Sequence, residues 1–102
     1  MVSQAHRLRR ELRAALAGHR RLVGTFVKLP AVDVVEMCAL AGFDFVVVDL
    51  EHSALSEQDA IGLVRHADVC GLPALVRVPA VDAPAVNRLL ENGATGIQLS
   101  TA

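Results

Sequence analysis

The segment Val46-Val47-Val48-Asp49-Leu50-Glu51-His52-Ser53 delivers two carboxylates and an imidazole at the end of an apolar run. Imidazole exchanges protons near neutrality and serves as a general base, and a neighbouring carboxylate can orient its ring. Asp49 and Glu51 lie two positions apart, so on an extended backbone they share a face and can meet a hard cation, directly or through water. The same string also reads as plain structure, with Asp49 capping a turn and Glu51 and His52 opening a polar loop.

Arg77 is the second candidate, near the end of the apolar run Ala74-Leu75-Val76-Arg77-Val78-Pro79. A guanidinium among apolar neighbours needs an anion. That anion is either a substrate carboxylate held in a two-point fork or a structural partner among Asp49, Glu51 and Glu91. Other chemistry-bearing residues read as ordinary structure. Lys28, the repeat counterpart of Arg77, could sit at the first strand's end, but reads sooner as an edge lysine with its ammonium reaching water. Glu91, His6, His19 and His66 read as solvated. Cys38 and Cys70 have no neighbouring histidine in the sequence to suggest a nucleophile or metal site, and are expected as free thiols in a reducing cytosol. Phosphate-binding glycine loops, serine nucleophile elbows and Cys-x-x-Cys pairs are absent from the sequence.

The elements that must position these groups alternate. Strands are expected at Leu22–Leu29, Asp44–Leu50, Ala74–Val78 and Gly96–Leu99, with helices at Asp33–Leu40, Glu57–Val69 and Ala83–Glu91 after a first helix. Asp33 with Glu36 reads as a capping box and Ser56 with Asp59 as a weaker one, while Asp82 can cap the helix that carries Pro84. Gly18, Gly42, Gly71 and Gly93 are expected as left-handed C-terminal caps. Strands alternating with helices imply parallel pairing through right-handed crossovers, and the unbroken apolar run Phe45–Val48 suits a strand covered on both faces.

An internal echo sharpens the architecture. Val27-Lys28-Leu29-Pro30-Ala31-Val32-Asp33 matches Val76-Arg77-Val78-Pro79-Ala80-Val81-Asp82 at five of seven positions. Its spacing spans two strand–helix units, the repeat a (β/α) barrel requires. A complete eight-unit barrel takes roughly 200–250 residues, about twice this chain. The expectation is therefore α/β, the N-terminal half of a (β/α)8 barrel with a basic helix over residues 1–21 and a partial barrel over 22–102. The chain stops at Leu99-Ser100-Thr101-Ala102, directly after a strand, which reads as a fragment. A small open α/β sandwich and a half barrel completed by a partner are the alternatives.

Composition excludes several function classes. The chain has 102 residues, 53% hydrophobic and 21% charged, with a net charge of −1. That apolar fraction at low net charge excludes disorder. Aromatic content of 3% leaves too few platforms for stacking on single-stranded nucleic acid. Apolar runs fall far short of the roughly 18 residues of a membrane span. Residues 1–21 hold six arginines against Glu11, so that segment is basic and the remainder acidic. A basic arm suits nucleic acid, an organelle address or a solvated helix packed through Leu8, Leu12, Ala15 and Leu16. The solvated helix is the reading expected here.

Taken together, Gly42-Phe43-Asp44 through Ser53, then Val76-Arg77-Val78-Pro79, then Leu89-Leu90-Glu91-Asn92-Gly93-Ala94 resemble, in order and spacing, the landmarks of the HpcH/HpaI aldolase family. Gly24-Thr25-Phe26 fits that family's first strand, so the resemblance runs from about residue 20 to the end. It implies a phosphoenolpyruvate/pyruvate-type TIM barrel that cleaves 4-hydroxy-2-oxo acids to pyruvate, or a related 2-oxo acid, and an aldehyde. It implies His52 in acid/base transfer, Arg77 on the pyruvate carboxylate or enolate oxygen, and Asp49 in support. Glu91 stands where the family commonly has Asp, assisting the histidine.

The resemblance also implies a divalent cation (Mg2+, Mn2+ or Co2+) that stabilises the developing enolate together with the arginine. Its ligands belong to the family's second half, with which nothing in this chain aligns, leaving Glu51 as an outer-shell candidate at most. Ser100-Thr101 replaces a proline that often follows the fourth strand. The expected setting is cytoplasmic, with a small 2-oxo acid as ligand, no nucleic acid or membrane partner, and a homo-oligomer for the full-length protein. These 102 residues alone are expected to lack efficient activity. The competing expectations are a catalytically silent half barrel that associates with a partner chain, and an anion-binding module built on the Arg-rich helix.

Overall fold

The computed structural model describes residues 3–99. In chain order the elements are α1 (Ala5–Ala17), β1 (Gly24–Val27), α2 (Val32–Ala41), β2 (Phe45–Asp49), α3 (Glu57–Cys70), β3 (Ala74–Val78), α4 (Ala83–Glu91) and β4 (Gly96–Leu99). The four strands form one sheet in the order β1-β2-β3-β4, every pair parallel. This is the expected α/β arrangement, with four parallel strands linked by helices as in half of a (β/α)8 barrel.

Side chains alternate across the sheet. Val27, Val46, Val48, Ala74, Val76 and Val78 point to the helical layer and are buried against Val35, Leu63, Val64 and Leu89. The opposite face carries Phe26, Phe45, Val47, Leu75 and, at the carboxyl ends, Asp49 and Arg77. Phe26 there is 47% exposed, whereas Val47, flanked in register by Phe26 and Leu75, is buried. A Cβ at Gly24 would stand 2.4 Å from the Phe45 ring, so a larger residue there would require that ring to move.

α1 is fastened to the end of the sheet where the strands begin. Ala5 and Leu8 are buried, the Gln4 backbone N–H donates to Asp68 Oδ1 at 2.8 Å, and Arg9 Nη2 donates to the carbonyls of Leu90 and Ala94 at 3.0 and 2.8 Å. Leu16, expected on the packed face, is exposed.

Local signals held unevenly. β3, β4 and α4 have the expected bounds, while β1 is shorter at both ends, its pairing with β2 running only from Gly24 to Val27. The Ser56–Asp59 capping box is complete, with both reciprocal bonds made, and Asp82 accepts from the Ala85 N–H. Asp33 is a correction. α2 begins one residue earlier with Ala31 as its uncapped N-cap, so Asp33 falls inside the first turn and meets only the positive helix terminus. Gly42 and Gly71 are left-handed caps at φ 88° and 70°, but Gly18 is not, its neighbour His19 taking the positive φ instead. Ser100 and Thr101, read above as a departure from the family, lie outside the described residues. No helix among the described residues is long and apolar enough to cross a membrane.

Candidate functional site

The parallel register sets Asp49 opposite Arg77, and Arg77 opposite Gln98. Lys28 follows the Val27–Val48 pair directly, which brings it beside Asp49. A single polar rung thus crosses all four strands at their carboxyl ends, the edge where parallel α/β folds present their chemistry. It lies on the face of the sheet away from the helices.

Asp49 is the centre of the rung, and its side chain is fully buried. Arg77 grips it at two points, Nε donating to Oδ1 at 3.1 Å and Nη2 to Oδ2 at 2.6 Å. Oδ1 also accepts the backbone N–H groups of Glu51 and His52, at 2.9 and 3.0 Å. Lys28 Nζ stands 3.7 Å from Oδ2. The Arg77 hydrogen bonds lead in holding the Asp49 carboxyl well below the usual carboxylate range, against the opposing effect of burial, and the two backbone donors add to them. Asp49 is consequently held as an anion near neutral pH, where it positions its neighbours.

Of the two readings of Arg77, the geometry shows the structural one. Its structural partner is Asp49, yet a guanidinium has five N–H groups and the Asp49 grip uses two. The Arg77 side chain is 18% exposed, with Cζ 4.7 Å from the centroid of the Phe26 ring. Cation–π attraction to that ring helps hold the guanidinium in place.

His52 and Glu51 form a second unit in the turn after β2. His52 Nε2 lies 2.5 Å from Glu51 Oε1, and the imidazole is 63% exposed. The turn is built by Asp49 itself, whose carboxylate takes two of its N–H groups and whose carbonyl accepts from Ser53 Oγ. Leu55 N–H donates to that same Ser53 Oγ at 3.2 Å, and the Ser56 capping box then starts α3. Asp49 as a turn cap and His52 as an available imidazole are therefore compatible.

Glu91 is not brought to this site. It is exposed at the far end of the sheet, bordering a cleft with Arg65, Asp68 and Asn92 where α3 and α4 finish. A helix returning from a strand's carboxyl end must finish at the opposite edge, which separates Glu91 from His52. Within this chain Glu91 therefore does not reach the histidine it was expected to assist. His66 is also not a free surface residue, being half-buried with Nε2 3.5 Å from Glu36 Oε2. Burial pushes the Cys70 thiol up, aided by the Glu36 charge, and Cys38 is buried; both are free.

Asp49 has both oxygens committed to donors and cations, and Glu51 faces His52, so the shared face expected of these two carboxylates gives no cation cradle. Among the described residues no three His, Cys, Asp or Glu side chains gather as a metal site. With both Asp49 oxygens already partnered, the rung leaves that carboxylate no free oxygen for a divalent cation.

Sequence reasoning set Lys28 aside as an edge lysine and did not single out Phe26 or Gln98. The signal was present for Lys28, which occupies in the echo the position of Arg77. Phe26 then follows from strand alternation, two residues before Lys28 on the same face.

With this geometry in view, the sequence model described as HpcH/HpaI aldolase/citrate lyase matches residues 22–100. The hydroxypyruvate/pyruvate aldolase of Sagittula stellata is 30% identical over 82 residues, covering 80% of this chain and 32% of that protein. The 4-hydroxy-2-oxovalerate aldolase of Rhodococcus jostii is 34% identical over 89 residues, covering 81% and 33%. Among solved structures, an HpcH/HpaI aldolase from Desulfitobacterium hafniense superposes with a TM-score of 0.75 at 39% identity, over 84% of this chain and 34% of that one. The citrate synthase SbnG gives 0.79 at 32% identity, over 89% and 37%. The chain thus spans about a third of the length of the curated relatives named here.

Proposed function

This chain belongs to the HpcH/HpaI aldolase/citrate lyase family, and from that membership we propose that it supplies the 2-oxo acid site of a carbon–carbon lyase. The reaction is cleavage of a 4-hydroxy-2-oxo acid to pyruvate, or a related 2-oxo acid, and an aldehyde. The observation that carries the reading is the two-point Arg77–Asp49 pair, which fixes a guanidinium at the strand ends with N–H groups to spare.

In the cleavage, the C4 hydroxyl loses its proton, the C3–C4 bond breaks, and its electron pair passes to the oxygen at C2 as an enolate. Arg77 holds the carboxylate and the enolate oxygen through its remaining donors, which favours the charge that develops there. His52, oriented by Glu51, takes the hydroxyl proton. The liberated enolate then gains a proton at C3 to give pyruvate. On this reading a divalent cation, where the reaction uses one, takes its protein ligands outside the rung, because both oxygens of Asp49 are committed. The open β1 and β4 edges and the exposed Phe26 favour completion of the barrel by further parallel strands from the same or a second polypeptide.

Pyruvate titration followed by NMR tests the reading. Saturable shifts at Arg77 and His52 are expected, and Arg77→Ala should lose binding by at least about tenfold, the scale of one charge-assisted hydrogen bond. Unchanged pyruvate binding in Arg77→Ala would remove the carboxylate-clamp assignment.

A further inference from the structure

The chemistry above leaves the Lys28 ammonium without a role. Its Nζ lies 3.7 Å from Asp49 Oδ2, too far for a hydrogen bond, and the side chain is 49% exposed. That same oxygen already accepts from Arg77 Nη2 at 2.6 Å. One buried carboxylate therefore stands between two cations. Arg77 engages it at two points, so the positive charge of Lys28 is left over.

The surroundings aim that surplus outward. Phe26 lies beside both cations, Arg77 Cζ at 4.7 Å and Lys28 Nζ at 6.0 Å from its centroid, an apolar floor for both heads. Glu51, the other carboxylate at this edge, lies against His52 Nε2 instead. Because both cations address the same oxygen, Nζ and Nη2 are no farther apart than the sum of their distances to it. A short ligand with two anionic groups spans such a gap, and a ligand with one leaves the ammonium to water.

We infer that Lys28 is a second anion-binding residue of this site, selecting 2-oxo acids that carry a second carboxylate. Arg77 receives the 2-oxo acid end and Lys28 the distal carboxylate. The inference rests on the reading of Arg77 as the 2-oxo acid clamp.

Calorimetric titration with a matched pair of ligands tests it. 2-Oxoglutarate and 2-oxopentanoate have equal chain length and differ only in the terminal carboxylate. At pH 7.5 and fixed ionic strength, the wild-type chain should bind 2-oxoglutarate about tenfold more tightly, the increment of one charge-assisted hydrogen bond. Lys28→Gln should bind both acids alike, with its affinity for 2-oxopentanoate unchanged within about twofold and its thermal midpoint that of wild type. Equal wild-type affinities, or an equal loss of both ligands in Lys28→Gln, overturn the inference. Arg77→Ala separates the two readings. Loss of both ligands there, with the wild-type circular dichroism spectrum retained, supports the clamp. If both still bind and only Lys28→Gln abolishes the preference, the clamp reading falls while the Lys28 site stands. If neither acid binds the wild-type chain, both fall.

Discussion

Arg77 faces Asp49 across adjacent parallel strands and closes on it at two points, 3.1 Å from Nε to Oδ1 and 2.6 Å from Nη2 to Oδ2. This contact joins strand register to site electrostatics. It orients the guanidinium, holds Asp49 ionised, and leaves the Asp49 carboxylate to organise the turn that carries His52.

The first prediction concerns that carboxylate. Removing one partner of a buried pair leaves the other uncompensated, so Asp49→Ala should cost about 3–5 kcal/mol of folding stability. Asp49→Asn should cost less, because its amide oxygen can still accept from the Glu51 and His52 N–H groups. Urea unfolding of the three proteins measures the order. A wild-type-like midpoint for Asp49→Ala would mean that the pair does not stabilise the fold.

Acid should reveal the same group. The Asp49 carboxyl lies below its ordinary value of 3.8 in the folded chain, so at low pH the unfolded chain binds the proton first. Its contribution is fully present above the ordinary carboxylate range and is lost as pH falls through 3.8 toward the depressed folded value. Glu57, lowered by its two-point pair with Arg88, works in the same direction. The stability gap between wild type and Asp49→Ala should hold constant from about pH 8 to 5 and narrow below that. A gap that stays constant down to pH 3 would contradict the ionised pair.

The turn has its own anchor. Ser56 accepts from the Asp59 N–H while Asp59 accepts from the Ser56 N–H. Ser56→Ala should cost about 1 kcal/mol and lower the thermal midpoint by roughly 4–8 °C. Ser56→Thr should restore most of it, and failure to do so would indicate that side-chain packing rather than capping sets the effect.

Arg9 links the basic helix to the barrel by donating to the Leu90 and Ala94 carbonyls. Arg9→Ala should destabilise the chain by about 1–3 kcal/mol, since two partly buried carbonyls lose a charged donor. Arg13→Ala, at an exposed position on the same helix, should fall within about 0.5 kcal/mol of wild type. Equal effects from both would point to helix charge instead of the specific clamp.

Much of this molecule was legible from neighbouring residues alone. Apolar runs and turn residues located all four strands, Ser56 with Asp59 marked the start of α3, and the Asp49–His52 string with Arg77 pointed to the strand ends. These signals are short-range, set by backbone periodicity and by capping bonds a few residues apart. Asp33 shows their limit, because its pairing with Glu36 fits the pattern while the helix begins one residue too early for it to cap.

The partner of Arg77, the approach of Lys28 and the removal of Glu91 to the opposite edge were decided only by tertiary structure. Each depends on inter-strand register or on the direction in which a helix returns. Asp49 and Arg77 are 28 positions apart, and Arg77 was compatible with three carboxylates until the sheet aligned one of them with it. Residue type and local spacing determined which groups could do chemistry. The parallel register determined which of them share a rung, because it alone converts distance along the chain into contact.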